Sequence, residues 1–197
     1  MPNWCNNSVT FSHESPAEIQ RLVTAYNENR LFQEFFPCPP ELSEETPVGD
    51  DFVKRDEERQ AANLEKFGFA SWYEWKVSNW GTKWEVDSVD EVEIAEGATS
   101  VTVYFDSAWS PPIGFYTKMY EDAGFGVIAY YYEPGMAFCG VWEDGEDDEF
   151  EIDGDSDWVE RHIPAAINEA FSISENMDMW EQEEPPVFEE NNSDDAK

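Results

Sequence analysis

The order of predicted elements places this chain in the α+β class. The specific prediction is a ferredoxin-like split βαβ antiparallel sheet with helices on one face. Three observations carry it. A strand and then a helix open the chain. A strand–strand–helix–strand–strand series fills residues 91–142. An insertion of about 60 residues, at 31–90, lies between the two and lacks that regularity.

Ser8 to Ser12 alternates, with Val9 and Phe11 on one face of a short strand. Ser15 is placed to cap a helix, Pro16 suits its first position, and Glu18 completes a capping box. Ile19, Leu22, Val23 and Tyr26 then recur at helical spacing to about Arg30. In the insertion, Asp51 to Lys66 predicts a surface helix, being rich in Glu, Arg, Gln and Ala. Trp72 and Trp75 suit a short helix, and Asn79 to Thr82 a turn or cap.

Glu91 to Glu96 alternates with Val92 and Ile94 inward, and Gly97-Ala98-Thr99 turns the chain. Val101, Val103 and Phe105 continue as the second arm of a hairpin. Ser110 is a cap for a helix beginning Pro111-Pro112 and ending at Gly124, with Phe115, Tyr116, Met119 and Tyr120 on its apolar side. Phe125 to Glu133 and Met136 to Trp142 are strands joined at Pro134-Gly135. Ser156 to Phe171 predicts a helix that Pro164 interrupts, and Ser174 to Glu184 a last weak one. The organisation expected is a domain at 1–145, an acidic extension with one or two helices at 146–184, and a disordered acidic tail at 185–197.

Charge dominates the composition. Among 197 residues, 45 are acidic and 11 basic, a formal net charge of −34. Residues 143–197 alone carry −19 of it. Such a surface excludes direct nucleic-acid binding through Lys and Arg, and disfavours anionic membranes. The chain is not a disordered polyanion, because aromatics make up 16% of it. The N-terminus has no basic region followed by an apolar stretch, so no signal peptide is read. No run has the roughly 20 apolar residues of a membrane helix. The three cysteines, Cys5, Cys38 and Cys139, form no CxxC and are an odd number. They read as free thiols of a cytoplasmic protein.

Five short blocks occur in order: Asn3-Trp4-Cys5-Asn6-Asn7, Pro37-Cys38-Pro39-Pro40-Glu41-Leu42, Asn79-Trp80-Gly81-Thr82-Lys83-Trp84, Trp109-Ser110-Pro111-Pro112, and Tyr132 to Gly140. Together they resemble the YubB-like ferredoxin-like proteins of phages and conjugative plasmids, over about residues 1–145. The resemblance implies a ferredoxin-like fold and a mobile-element origin. It transfers no catalytic residue.

The chemistry-bearing patterns are few. Asp153-Gly154-Asp155-Ser156-Asp157 begins like a calcium loop. The sixth position is Trp158 and the twelfth Pro164, so the closing carboxylate is missing and a solvated acidic loop is the reading. His13, His162 and the cysteines show no spacing of a metal site or a nucleophile with its base. No metal, cofactor or enzymatic activity is expected. The tryptophans read mainly as core, since base stacking needs a basic groove that Lys76 and Lys83 do not make. Trp72, Trp75, Asn79, Trp80, Lys83 and Trp84 are retained as a candidate small-ligand or enzyme site.

The charge itself is the stronger lead. A compact array of carboxylates can imitate the phosphates of DNA and fill the basic cleft of a host DNA-binding or defence protein. The densest patch expected is Asp147, Asp148, Glu149, Glu151, Asp153, Asp155 and Asp157, each an acceptor for Arg or Lys. Glu44, Glu45, Asp50, Asp51, Asp56, Glu57 and Glu58 make a weaker second one. The function expected is therefore a non-enzymatic accessory protein that binds a basic, nucleic-acid-binding host protein. The rival readings are the aromatic ligand site and a structural, virion-associated protein whose acidity keeps it soluble.

Overall fold

The computed structural model describes residues 3–43 and 52–182. The fold is α+β around a six-stranded antiparallel sheet of order β2-β3-β1-β4-β5-β6. Its strands are β1 (Trp4–Ser12), β2 (Asp87–Ser88), β3 (Ser100–Ala108), β4 (Gly126–Glu133), β5 (Phe138–Glu143) and β6 (Glu146–Glu151). Its helices are α1 (Pro16–Asn27), α2 (Leu31–Phe35), α3 (Phe52–Phe67), α4 (Trp72–Trp80) and α5 (Ile113–Glu121). These elements form one compact unit, Met1–Glu151. The second unit, Ile152–Lys197, contains α6 (Ser156–His162), α7 (Ala165–Phe171) and α8 (Ile173–Gln182).

Strand periodicity sorts residues between the two faces. Val9 and Phe11 of β1, Val101, Val103 and Phe105 of β3, and Val127 and Ala129 of β4 all point inward. They share one cluster with Ile19, Leu22, Val23 and Tyr26 of α1, Phe32 of α2, and Phe115, Tyr116 and Met119 of α5. The opposite face mixes polar pairs with exposed apolar side chains: Thr10 bonds Thr102 at 2.8 Å, Asn6 donates to Asp106 at 2.6 Å, and Tyr104 and Ile128 lie open on it.

Local departures from the sequence reading have local causes. α1 starts at Pro16, yet the Ser15 hydroxyl makes no capping bond. Arg21, one turn on, draws the Glu18 carboxylate to 3.2 Å, and the Ser15 amide donates to His13 Nδ1. Glu91 to Glu96 is not a strand; ahead of it, Asp87–Ser88 pair with β3 as β2. Val92 and Ile94 still pack on the core, but the Val92 backbone is bound by the Asn27 side chain instead of a neighbouring strand. Ser110 does not cap α5; its hydroxyl donates to the Gly81 carbonyl, and Pro112 occupies the cap.

Residues 146–151, expected within an extension, form the strand β6 paired with β5. Asp144 and Gly145 have φ of +45° and +103°, the two left-handed positions a two-residue hairpin loop requires. In the second unit Ile163 is extended, as the residue before a proline must be, and separates α6 from α7. Glu181 accepts from the Ser156 amide and hydroxyl, and Asn168 bonds Ser174 twice, so side-chain amides and carboxylates join the three short helices. Glu44, Glu45, Asp50, Asp51 and the tail at 185–197 lie outside the described residues.

Candidate functional site

Two regions were candidates, and the structure treats them differently. The aromatic one is built on α4. Ser71 caps it, accepting from the Glu74 amide, while the Glu74 carboxylate reaches back to the Ala70 amide. Gly81 ends it at φ +87°, and a side chain there would meet the backbone of Pro112 and Ile113 at 2.9–3.1 Å. This tight approach seats Trp80 in the core. Its ring lies 5.4 Å from Phe32 and 5.9 Å from Trp75, and its indole N–H donates to the Phe36 carbonyl at 2.9 Å. Trp72 and Trp75 pack half-buried against the same core. The Asn79 amide donates to the Trp75 carbonyl inside its own helix. Of the six candidates, only Lys83 and Trp84 remain together at the surface. The Lys83 ammonium sits 3.9 Å from the Trp84 ring centre, and Trp84 leans on Trp4 at 6.0 Å.

The acidic candidate divides between the two units. Asp147, Asp148, Glu149 and Glu151 belong to β6, whereas Asp153, Asp155 and Asp157 belong to the second unit. Asp155 has a structural task there: its carboxylate accepts from the Trp158 amide at 2.9 Å and caps α6. Asp147 is also engaged, because the Tyr131 hydroxyl donates to it at 2.8 Å. Tyr131 reaches it by crossing Gly140 of β5. A side-chain carbon on Gly140 would lie 2.3 Å from the Tyr131 oxygen and 2.6 Å from the Asp148 carbonyl. Burial and the adjacent Asp147 hold the Tyr131 phenol neutral, far above its ordinary range. Asp148, Glu149 and Glu151 face solvent. Glu146, Asp148, Glu143 and Asp144 also border a shallow cavity of about 330 Å³ beside Val141. In the second patch, Asp56 is held by Arg59 at 2.6 Å, and Glu57 and Glu58 are exposed on α3.

The thiols of Cys5 and Cys139 are held protonated by burial. All three cysteines are buried and none is in a disulfide. Burial pushes Cys139 up to about 11 and Cys5 further still, with Glu133 adding to the rise at Cys5. A thiolate nucleophile at neutral pH is therefore unfavourable at both. His13 packs at a tilt against Phe125 and His162 stacks on Trp158, each with its Nδ1 bonded to nearby backbone. Among the described residues, no group of three or more His, Cys, Asp or Glu is placed to hold a metal ion. No helix of the described residues is long and apolar enough to cross a membrane.

Glu133, Tyr131 and Gly140 are the working residues that the sequence did not single out. Glu133 is a buried carboxylate whose oxygens accept from the Gly135 and Met136 amides and so brace the β4–β5 turn. A Glu immediately before Pro-Gly is the available signal for such a brace. Nothing local marks Tyr131, whose role depends on a partner in another strand.

No family model matches the chain, and no curated protein matches it. A crystal structure of a protein Api92 from Yersinia pseudotuberculosis, described with the family model DUF1281, superposes with a TM-score of 0.40 at 11% identity. The alignment covers 78% of this chain and 99% of that one. A likeness at that level assigns neither family nor activity.

Proposed function

We propose that this chain is a non-enzymatic accessory protein of a phage or conjugative plasmid, ferredoxin-like in fold and YubB-like in kind. It acts in the cytoplasm of the host cell by binding a basic, nucleic-acid-binding protein through a DNA-mimicking acidic surface. The strand order β2-β3-β1-β4, with α1 following β1 and α5 following β3, supports the ferredoxin-like reading.

One observation carries the functional reading. Five of the six residues of β6 are acidic, and they stand exposed on the last strand of the sheet. A strand advances about 3.4 Å per residue, which is also the phosphate rise along one strand of duplex DNA, about 3.4 Å. Glu146 to Glu149 thus present successive negative charges at the axial interval of a phosphate chain. Side chains alternate between the faces of the sheet, so the array is two-sided, like the flanks of a backbone ridge.

Capture from host lysate tests this. The expected partner is basic, is released by raising salt, and is displaced by duplex DNA. Neutralising Glu146, Asp148 and Glu149 to Gln or Asn should weaken capture by about tenfold or more. A partner that survives molar salt, or is indifferent to DNA, overturns the mimic. The exposed Trp84–Lys83–Trp4 group supports a second reading, a site for a small planar ligand. It predicts thermal stabilisation by a metabolite, abolished by Trp84→Ala and unaffected by the β6 neutralisations.

A further inference from the structure

We propose that β6 is a docking edge that accepts an extended, Lys- or Arg-rich segment of the partner protein as an added strand. The proposal rests on the acidic-surface reading above and supplies its binding mode: a backbone ladder, with charge selecting what enters it.

The hydrogen-bonding argument comes first. The sheet ends at β6, and among the described residues no strand lies beyond it. Glu143 and Glu146 close the two-residue Asp144-Gly145 loop. The closing pair of such a loop exchanges its hydrogen bonds, and the pattern then alternates. Asp148 and Phe150 therefore turn their N–H and C=O groups toward β5. Asp147, Glu149 and Glu151 turn theirs away from the sheet. Three donors and three acceptors are left at the spacing an extended chain satisfies. The whole run from Glu146 to Glu149 is exposed, as is Glu151, so the edge is accessible along its length.

Charge then decides the occupant. Glu146 and Asp148 flank the edge on one face, and Glu149 and Glu151 on the other. A second copy of β6 would bring carboxylate opposite carboxylate, and like charges directly opposite destabilise a pair. The same side chains that prevent self-addition leave the edge open to a strand of opposite sign. A basic strand meets a carboxylate on whichever face its side chains fall. Phe150, half-buried between the acids, offers apolar surface to an aliphatic stem of Lys or Arg.

The test uses the full chain and a soluble peptide of about ten residues alternating Lys and Thr, a length within the usual range for strands. Its control is the same peptide N-methylated at every backbone amide, with equal charge but no donor for a ladder. The Lys–Thr peptide should slow amide exchange at Asp147, Glu149 and Glu151 by about tenfold or more, and bind at least about tenfold tighter than the control. Glu149→Pro deletes an outward N–H and no bond to β5, and should weaken binding to the level of the control. Because the peptide control needs no altered protein, the result stands even if that variant unfolds. Equal binding of both peptides, or protection away from β6, overturns the added strand while leaving the acidic-surface reading in place. Failure of both peptides to bind, together with no salt-sensitive basic partner in the capture experiment, overturns both.

Discussion

The sheet has two edges, and they are finished in opposite ways. At one, β2 is only two residues long, and side chains near the end of α1 replace the rest of a strand. Asn29 Oδ1 accepts from both the Ser88 amide and hydroxyl, at 3.1 and 2.7 Å. Asn27 donates to the Val92 carbonyl and accepts from the Val92 amide, each at 2.9 Å. At the other, β6 runs six residues with charged side chains and, among the described residues, no comparable clamp. One edge is closed by satisfying its backbone locally. The other is left long and, among the described residues, protected by charge. An edge protected only by charge discriminates among strands, whereas a clamped edge admits none.

The comparison is open to attack from both sides. The largest effect should come from Gly140→Ala, which forces a side-chain carbon into Tyr131 and the Asp148 backbone. It should cost about 3 kcal/mol in chemical denaturation and speed amide exchange in β6. Asn27→Ala leaves the Val92 amide and carbonyl unpaired beside the core, and should cost about 2 kcal/mol. Exchange should quicken at Val92 and Ser88 and stay unchanged in β6. Tyr131→Phe removes the hydroxyl that holds Asp147, and should cost about 1 kcal/mol with the reverse exchange pattern.

The smallest effect is one of pH. Glu85, just before β2, accepts from the Phe32 and Gln33 amides, at 2.7 and 2.9 Å. Burial raises its carboxyl above the ordinary range despite those bonds. A group whose folded pKa exceeds its unfolded one contributes stability that is present below the unfolded value. That contribution is lost as pH rises through the folded value. Thermal melts across about pH 4 to 8 should therefore show the native chain losing ground to Glu85→Gln as pH rises. A difference independent of pH would show that Glu85 is not titrating in that range.

The six elements of the sheet and its two covering helices differ in how openly the sequence displays them. β1, β3, β4 and β5 alternate, α1 and α5 repeat at helical spacing, and all six were legible. The Glu91 to Glu96 alternation predicts a strand because its apolar residues do point inward. Periodicity reports which side chains are buried, not which group bonds the backbone, and here that group is Asn27. β6 was missed for the opposite reason. Its run of Glu and Asp has low strand propensity and only Phe150 as an apolar mark. The Asp144-Gly145 pair after Val141 and Trp142 was the signal that could have found it. The aromatic segment was legible as largely core, and the structure assigns Trp80 its place through the close contact of Gly81 with Pro112 and Ile113.

By itself the sequence determined the α+β class, the charge, and the density of carboxylates between Glu143 and Asp157. Those properties are sums over residue types and local periods, and survive any arrangement of the elements. Only the tertiary structure decided that Asp147, Asp148, Glu149 and Glu151 lie on a sheet edge while Asp153, Asp155 and Asp157 belong to another unit, and that Asp147 and Asp155 are occupied within the chain. Strand pairing between segments distant in sequence fixes which backbone groups are left unpaired, and no local pattern encodes that.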